Sequence, residues 1–199
     1  MSAQLFESDI LFLQRILAVS GFYKGPLNGK FTPAVDTAET ALEDEYKKIK
    51  TKLGEFDPRS ESNIRTLIPA AQAKAREFLN AVKGQPLDYR ILSGTRTYAE
   101  QNALAAKKPK VTNAKGGQSN HNFGIAWDVG IFEGGKYYTG ATKKEEKAYA
   151  DLGKLILSKV SGLEWGGNWK SFTDMPHYQL ATGKSVKELR ALLENGKPF

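Results

Sequence analysis

The sequence predicts an α+β fold: a small antiparallel sheet with flanking helices, preceded by a small helical N-terminal module. Three observations lead there. Stretches with helical spacing of apolar residues are mixed with short strand-like runs, those runs neighbour one another along the chain, and no regular strand–helix–strand alternation is present. A length of 199 residues allows one substantial core, or a medium domain with a small one. Hydrophobic residues make up 40% of the chain, enough to build such a core, and no apolar run approaches the roughly 18–20 residues of a membrane span.

The elements follow in order. Between Ser8 and Ser20, Ile10, Leu13, Ile16 and Leu17 recur at helical spacing, with Gly21 as a C-terminal cap. Gly25-Pro26 and Asn28-Gly29 then supply turn geometry. Thr32 before Pro33 opens a second helix, whose buried side is Val35, Ala38, Leu42, Tyr46 and Ile49. The polar, proline-punctuated stretch 54–63 is the expected linker between a module over 1–53 and a domain over 64–199.

In that second domain, Pro69 starts a helix carrying Ala71, Ala75, Phe78, Leu79 and Val82, closed by Gly84. Tyr89 to Ser93 reads as a strand. Thr97-Tyr98-Ala99-Glu100 is a capping box, so Arg96 sits where a strand stops and a helix starts. Lys108 to Gln118 is loop by composition. Gly124 to Phe132 alternates as a strand does, and Glu133-Gly134-Gly135-Lys136 turns it back into Tyr137-Tyr138. Lys143 to Val160 is helical. Leu163 to Trp165 and Met175 to Leu180 are strands bracketing Gly166-Gly167-Asn168-Trp169, and a second capping box at Ser185 to Glu188 opens the last helix.

The chain has only two histidines and no cysteine, so a metal would have to be held by imidazole and carboxylate groups. One histidine lies in Gln118-Ser119-Asn120-His121-Asn122-Phe123-Gly124-Ile125-Ala126-Trp127-Asp128, the other in Asp174-Met175-Pro176-His177. His121, Asp128 and His177 make a tridentate set with room for a water, and Asp174 is a second carboxylate within reach of that water's proton. Ser119 either caps a turn or bonds substrate. Trp165 and Trp169 are packing residues or, given the glycines around them, walls of an exposed rim. Lys107, Lys108 and Lys110 form a solvated face or one that attracts an anionic wall.

The pattern Ser119-x-His121-x-x-Gly124-x-Ala126-x-Asp128 followed by Asp174-x-x-His177 resembles the VanY-like zinc peptidases. These comprise D-alanyl-D-alanine carboxypeptidases and dipeptidases and phage L-alanyl-D-glutamate endopeptidases. Ser93-Gly94-Thr95-Arg96-Thr97, the run Val111 to Ser119 and Trp165-Gly166-Gly167-Asn168-Trp169 are most similar to the endopeptidase branch. The resemblance covers residues 65–182 and implies the Hedgehog/D-Ala-D-Ala peptidase type of fold. It also implies zinc ligands His121, Asp128 and His177, Asp174 as general base, and Arg96 as the cation facing the scissile carbonyl. Beside these, Ser119 and Trp165 are the expected substrate contacts. Many such families use Glu as the base; Asp174 is one methylene shorter and must stand nearer the metal or act through a slightly different approach of the water. Over residues 8–50, Leu13-Gln14, Leu17, Gly21-Phe22-Tyr23, Gly25-Pro26, Asn28-Gly29 and Phe31 resemble the helical peptidoglycan-binding module of wall hydrolases. A helical hairpin that only packs on the larger domain is the alternative.

The expectation is therefore a zinc-dependent peptidoglycan hydrolase of phage lysin type, cutting between L-alanine and D-glutamate. The alternatives are a D,D-carboxypeptidase or dipeptidase using the same metal, and a catalytically silent wall-binding protein. The net charge of +7 favours an anionic partner. Lys and Arg are scattered without an aromatic-interleaved stripe, so peptidoglycan is expected and nucleic acid is not. No membrane insertion is expected, and the chain is expected to be a monomer. The first residues lack a basic leader, which fits synthesis in the host bacterial cytoplasm and action on the wall.

Overall fold

The computed structural model describes residues 6–109 and 111–199. Lys110 of the expected cationic face and the first five residues of the N-terminus lie outside them. In chain order the helices are α1 (Glu7–Val19), α2 (Pro33–Leu53), α3 (Pro58–Ile64), α4 (Pro69–Ala81), α5 (Tyr98–Ala106), α6 (Lys143–Lys159) and α7 (Val186–Glu194). The strands are β1 (Asp88–Ser93), β2 (Ala126–Glu133), β3 (Lys136–Tyr137), β4 (Leu163–Trp165) and β5 (His177–Leu180). Among the described residues no helix is long and apolar enough to cross a membrane.

Contacts divide the chain into two compact units, one of residues 1–48, 96–124 and 183–199, the other of 49–95 and 125–182. In the first, α1 ends as the sequence predicts. The amides of Gly21 and Phe22 bond the carbonyls of Ala18 and Leu17, a Schellman closure that satisfies the last turn. Leu17, Ala18, Tyr23, Val35, Ala38, Leu42 and Tyr46 form its core. Gln14, fully buried, clasps the following loop: its Oε1 accepts from the amides of Asn28 and Gly29 at 2.9 Å each, and its Nε2 donates to the Lys30 carbonyl at 2.9 Å. Buried amides need such partners, so this glutamine fixes the path between α1 and α2.

The second unit contains the whole antiparallel sheet, in the order β1-β2-β5-β4 with β3 hairpinned onto β2. This is the α+β class expected. Side chains alternate along a strand, so Trp127, Val129 and Ile131 of β2 and Tyr178 of β5 go into the core, all at most 1% exposed. Tyr178 is its hub, edge-on to Phe78 of α4 at 4.8 Å between ring centroids and stacked with Trp127 and Trp165 at 6.5 Å each. The opposite rows, Ala126 with Asp128 and His177 with Gln179, share the other face.

Two differences from the sequence reading have clear causes. The segment 54–63 carries α3, opened by Asp57, whose carboxylate accepts from the amides of Arg59 and Ser60, with Pro58 in the first turn. Ser60 and Asn63 of α3 then bond the backbone of Ile91 at 2.9 and 3.0 Å, so this helix closes the outer edge of β1. The last strand begins at His177, two residues later than expected. Met175-Pro176 is instead a turn closed by the His177 amide on the Asp174 carbonyl, since proline cannot donate to a ladder.

Candidate metal centre

His121 lies in a short 3-10 turn, Asn120–Phe123, entered from Ser119 and left through Gly124, whose φ of 71° is a left-handed conformation that only glycine adopts freely. Asn122, fully buried, anchors that turn. Its Nδ2 donates to the Arg96 carbonyl at 2.9 Å, its Oδ1 accepts from the Gly117 amide at 2.9 Å, and the Arg96 amide donates to the His121 carbonyl at 3.0 Å. The segments bearing Arg96 and His121 are thus laced together through their backbones.

Asp128 and His177 come from neighbouring strands. They are direct partners in the β2–β5 ladder, and Asp128 also pairs with Ser93 just beyond an irregularity in β1. Such bulges raise local twist and redirect the chain, here on the approach to Arg96. His177 Nδ1 lies 3.3 Å from Asp128 Oδ1. With His121 added, one donor atom from each of the three residues lies within 4.8 Å of the others.

Both imidazoles are buried, His121 at 2% and His177 at 5% exposure, while the Asp128 side chain keeps 27% and marks the opening. Burial disfavours the charged form of His177. The hydrogen bond and charge of Asp128, aided by Gln179 and Asp174, outweigh it and hold the ring above its ordinary pKa.

This donor set fits zinc. Two imidazoles and a carboxylate match a catalytic zinc site with one open position, whose ligand bonds of about 2.0–2.2 Å at tetrahedral angles put donor atoms about 3.4 Å apart. The His177–Asp128 separation of 3.3 Å already meets that spacing. Because a metal held here and a proton would compete for the same lone pair of His177, binding of the metal would displace the proton.

Asp174 sits at the start of the turn that ends in His177. Its amide bonds the Gly166 carbonyl at 3.1 Å, and a Cβ on Gly166 would come within 2.4 Å of the Asp174 carbonyl. Only glycine lets the chain pass so close to this turn. Trp165, expected as a substrate contact, is 7% exposed and donates its indole N–H to the Met175 carbonyl at 2.7 Å. It braces the turn from beneath. The tryptophan in ring contact with His177 is Trp169, at 4.9 Å between centroids and half-buried. Ser119 is half-buried at the head of the 3-10 turn, and its hydroxyl makes no capping bond there.

Three further residues escaped the sequence reading: Asn122, Gln179 and Glu164. His177 Nε2 bonds Gln179 Oε1 at 2.9 Å, and Gln179 Nε2 donates to Glu164 Oε2 at 2.8 Å. The signal was the i, i+2 spacing of His177 and Gln179 on one strand face.

A family model described as D-alanyl-D-alanine carboxypeptidase matches residues 112–180, the span that holds His121, Asp128, Asp174 and His177 but not Arg96. Over 122 residues the chain is 30% identical to the peptidoglycan L-alanyl-D-glutamate endopeptidase CwlK of Bacillus subtilis (strain 168), covering 57% of this chain and 73% of that protein. It is 30% identical over 123 residues to the L-alanyl-D-glutamate peptidase of Listeria phage A118, covering 61% of this chain and 40% of the phage protein. Among solved structures it is similar to the Serratia marcescens L-Ala D-Glu endopeptidase ChiX, with a TM-score of 0.48 and 26% identity over 63% of this chain and 88% of that one.

Proposed function

The chain belongs to the family of the peptidoglycan L-alanyl-D-glutamate endopeptidase CwlK, and we propose that it is a zinc peptidase hydrolysing the L-alanyl-D-glutamate bond of the peptidoglycan stem. The observation that carries this reading is the convergence of His121, Asp128 and His177 donor atoms within 4.8 Å of one another. A zinc ion held there would polarise the peptide carbonyl and lower the pKa of its water to about 7.

The chain's own residues do the rest. Asp174 takes a proton from the attacking water as the new C–O bond forms, then passes it to the amine that leaves when the C–N bond breaks. Arg96, a cation that does not titrate, stabilises the negative charge gathering on the carbonyl oxygen. Ser119 contacts the peptide, and Trp165 serves the site by holding the Asp174 turn in place. A phage lysin is the proposed setting, supported by the Listeria phage relative. Residues 1–53 are the proposed wall-binding module, supported by the clasped loop that Gln14 builds.

Mass spectrometry of digested peptidoglycan, with and without a chelator, tests the proposal. New amino termini on D-glutamate that vanish with chelator are expected. The family model's description favours a second reading, a D,D-carboxypeptidase, and release of free D-alanine without those new termini would establish it instead.

A further inference from the structure

We propose that Gln179 and Glu164 are positioning residues that decide which nitrogen of His177 is offered to the metal, an inference that rests on the zinc reading above. Neither is a ligand. Their effect runs through the direction of two consecutive hydrogen bonds.

Glu164 and Gln179 are directly paired residues of the β4–β5 ladder, and Gln179 is two residues beyond His177, on the same face of β5. Across on β2, the residue paired with Gln179 is Ala126, whose small side chain leaves the row open for a long amide. Gln179 is 7% exposed, so its polar ends depend on protein partners.

A carboxylate only accepts, so the Gln179 group 2.8 Å from Glu164 Oε2 has to be the amide nitrogen. That orients the amide: its oxygen faces His177 Nε2 at 2.9 Å, and an amide oxygen only accepts. His177 Nε2 therefore carries hydrogen. In the neutral ring the lone pair is then left on Nδ1, the nitrogen that lies 3.3 Å from Asp128 Oδ1 within the donor cluster. The polarity of the relay, set at Glu164, and the placement of the cluster select the same atom by separate routes. Outer hydrogen bonds of this kind fix ring orientation and raise ligand basicity, and their loss typically weakens metal binding by about 10- to 100-fold.

The test compares wild-type protein with Gln179→Met, which cuts the relay, and with the exchange E164Q/Q179E. The exchange keeps the polarity, because the amide of residue 164 donates to the carboxylate of residue 179, which accepts from His177. Zinc dissociation constants would be measured by competition with a chromogenic chelator, and the His177 tautomer by 15N NMR of the imidazole in metal-free protein, at a pH where titration shows the ring to be neutral. Circular dichroism of each metal-free variant confirms folding. Gln179→Met should bind zinc about 10- to 100-fold more weakly and show a mixture of tautomers, while the exchange recovers most of the affinity and the Nε2–H form. Wild-type affinity and an unchanged His177 spectrum in Gln179→Met would overturn the relay, as would an exchange variant no better than Gln179→Met. Failure of the wild-type protein to bind zinc would overturn the metal reading itself, a result the first comparison cannot mimic.

Discussion

Two buried polar clusters in this chain invite opposite interpretations. In one, the Arg76 guanidinium, 3% exposed, grips both oxygens of Glu61 at 2.8 and 2.9 Å and also bonds the Gly54 carbonyl. Charge there is balanced by the protein alone: both terminal nitrogens of the guanidinium are bonded, and only its Nε is left without a hydrogen-bond partner among the described residues. In the other, His121, Asp128 and His177 bring together three atoms that are all able to donate a lone pair. The first is closed and ties α3, α4 and the chain between α2 and α3 together. The second has the donor set that a cation would complete, and that contrast tells a self-satisfied polar cluster from a candidate metal centre without reference to relatives.

The contrast can be broken by substitution. Asp128→Ala or His177→Ala should abolish stoichiometric zinc and lower hydrolysis on the order of a thousandfold or more, because several kcal/mol of transition-state stabilisation leave with the metal; metal analysis with muropeptide product assays checks both. Asp174→Ala should keep zinc and lose about 10²–10⁴ in turnover. Arg96→Ala should lose about 10²–10³, again with the metal retained. A variant at either position that lost its zinc would show that residue to be part of the metal shell.

Opposite behaviour is expected of the closed cluster. Glu61→Gln leaves Arg76 with a buried, uncompensated charge and should cost about 3–5 kcal/mol of stability, read by denaturant titration, while activity per folded molecule is kept. Burial pushes the Glu61 carboxyl upward, yet the hydrogen bonds from Arg76 and the Phe56 amide hold it below its ordinary value. A depressed native pKa contributes stability that is fully present above the unfolded carboxylate value and is lost as pH falls through the folded one. Melting curves from about pH 6 down to about pH 3 should therefore fall less steeply in Glu61→Gln than in wild type. The smallest effect belongs to exposed pairs such as Lys47–Asp44, with side chains 73% and 55% exposed. Lys47→Ala should leave the midpoint of the same denaturant titration unchanged, because solvent screens the pair.

What the sequence made legible follows from distance along the chain. Helices α1, α2, α4 and α6 were readable from apolar spacing, and α5 and α7 from their capping boxes. His121 and Asp128 stood out because they share one short segment, and His177 because the chain holds only two histidines. Short α3 was hidden because seven mostly polar residues carry no apolar period, although Asp57-Pro58 was a usable start signal. Asn122, Gln179 and Glu164 were hidden for a different reason. Their roles come from ladder register and from a loop folding back on Arg96, neither of which leaves a local pattern. Trp165 and Trp169, four residues apart, could not be told apart until burial sent one beneath the turn and the other against His177.

The alternation along β5 couples assembly of the cluster to correct folding. A slip of one residue against β2 would set Tyr178 opposite Asp128 and drive His177 toward the greasy interior. Uptake of the proposed ion would then be open only to chains that have zipped that ladder in the proper phase, and the cation would act as a proofreader of strand alignment, favouring the native pairing over its nearest misaligned competitor.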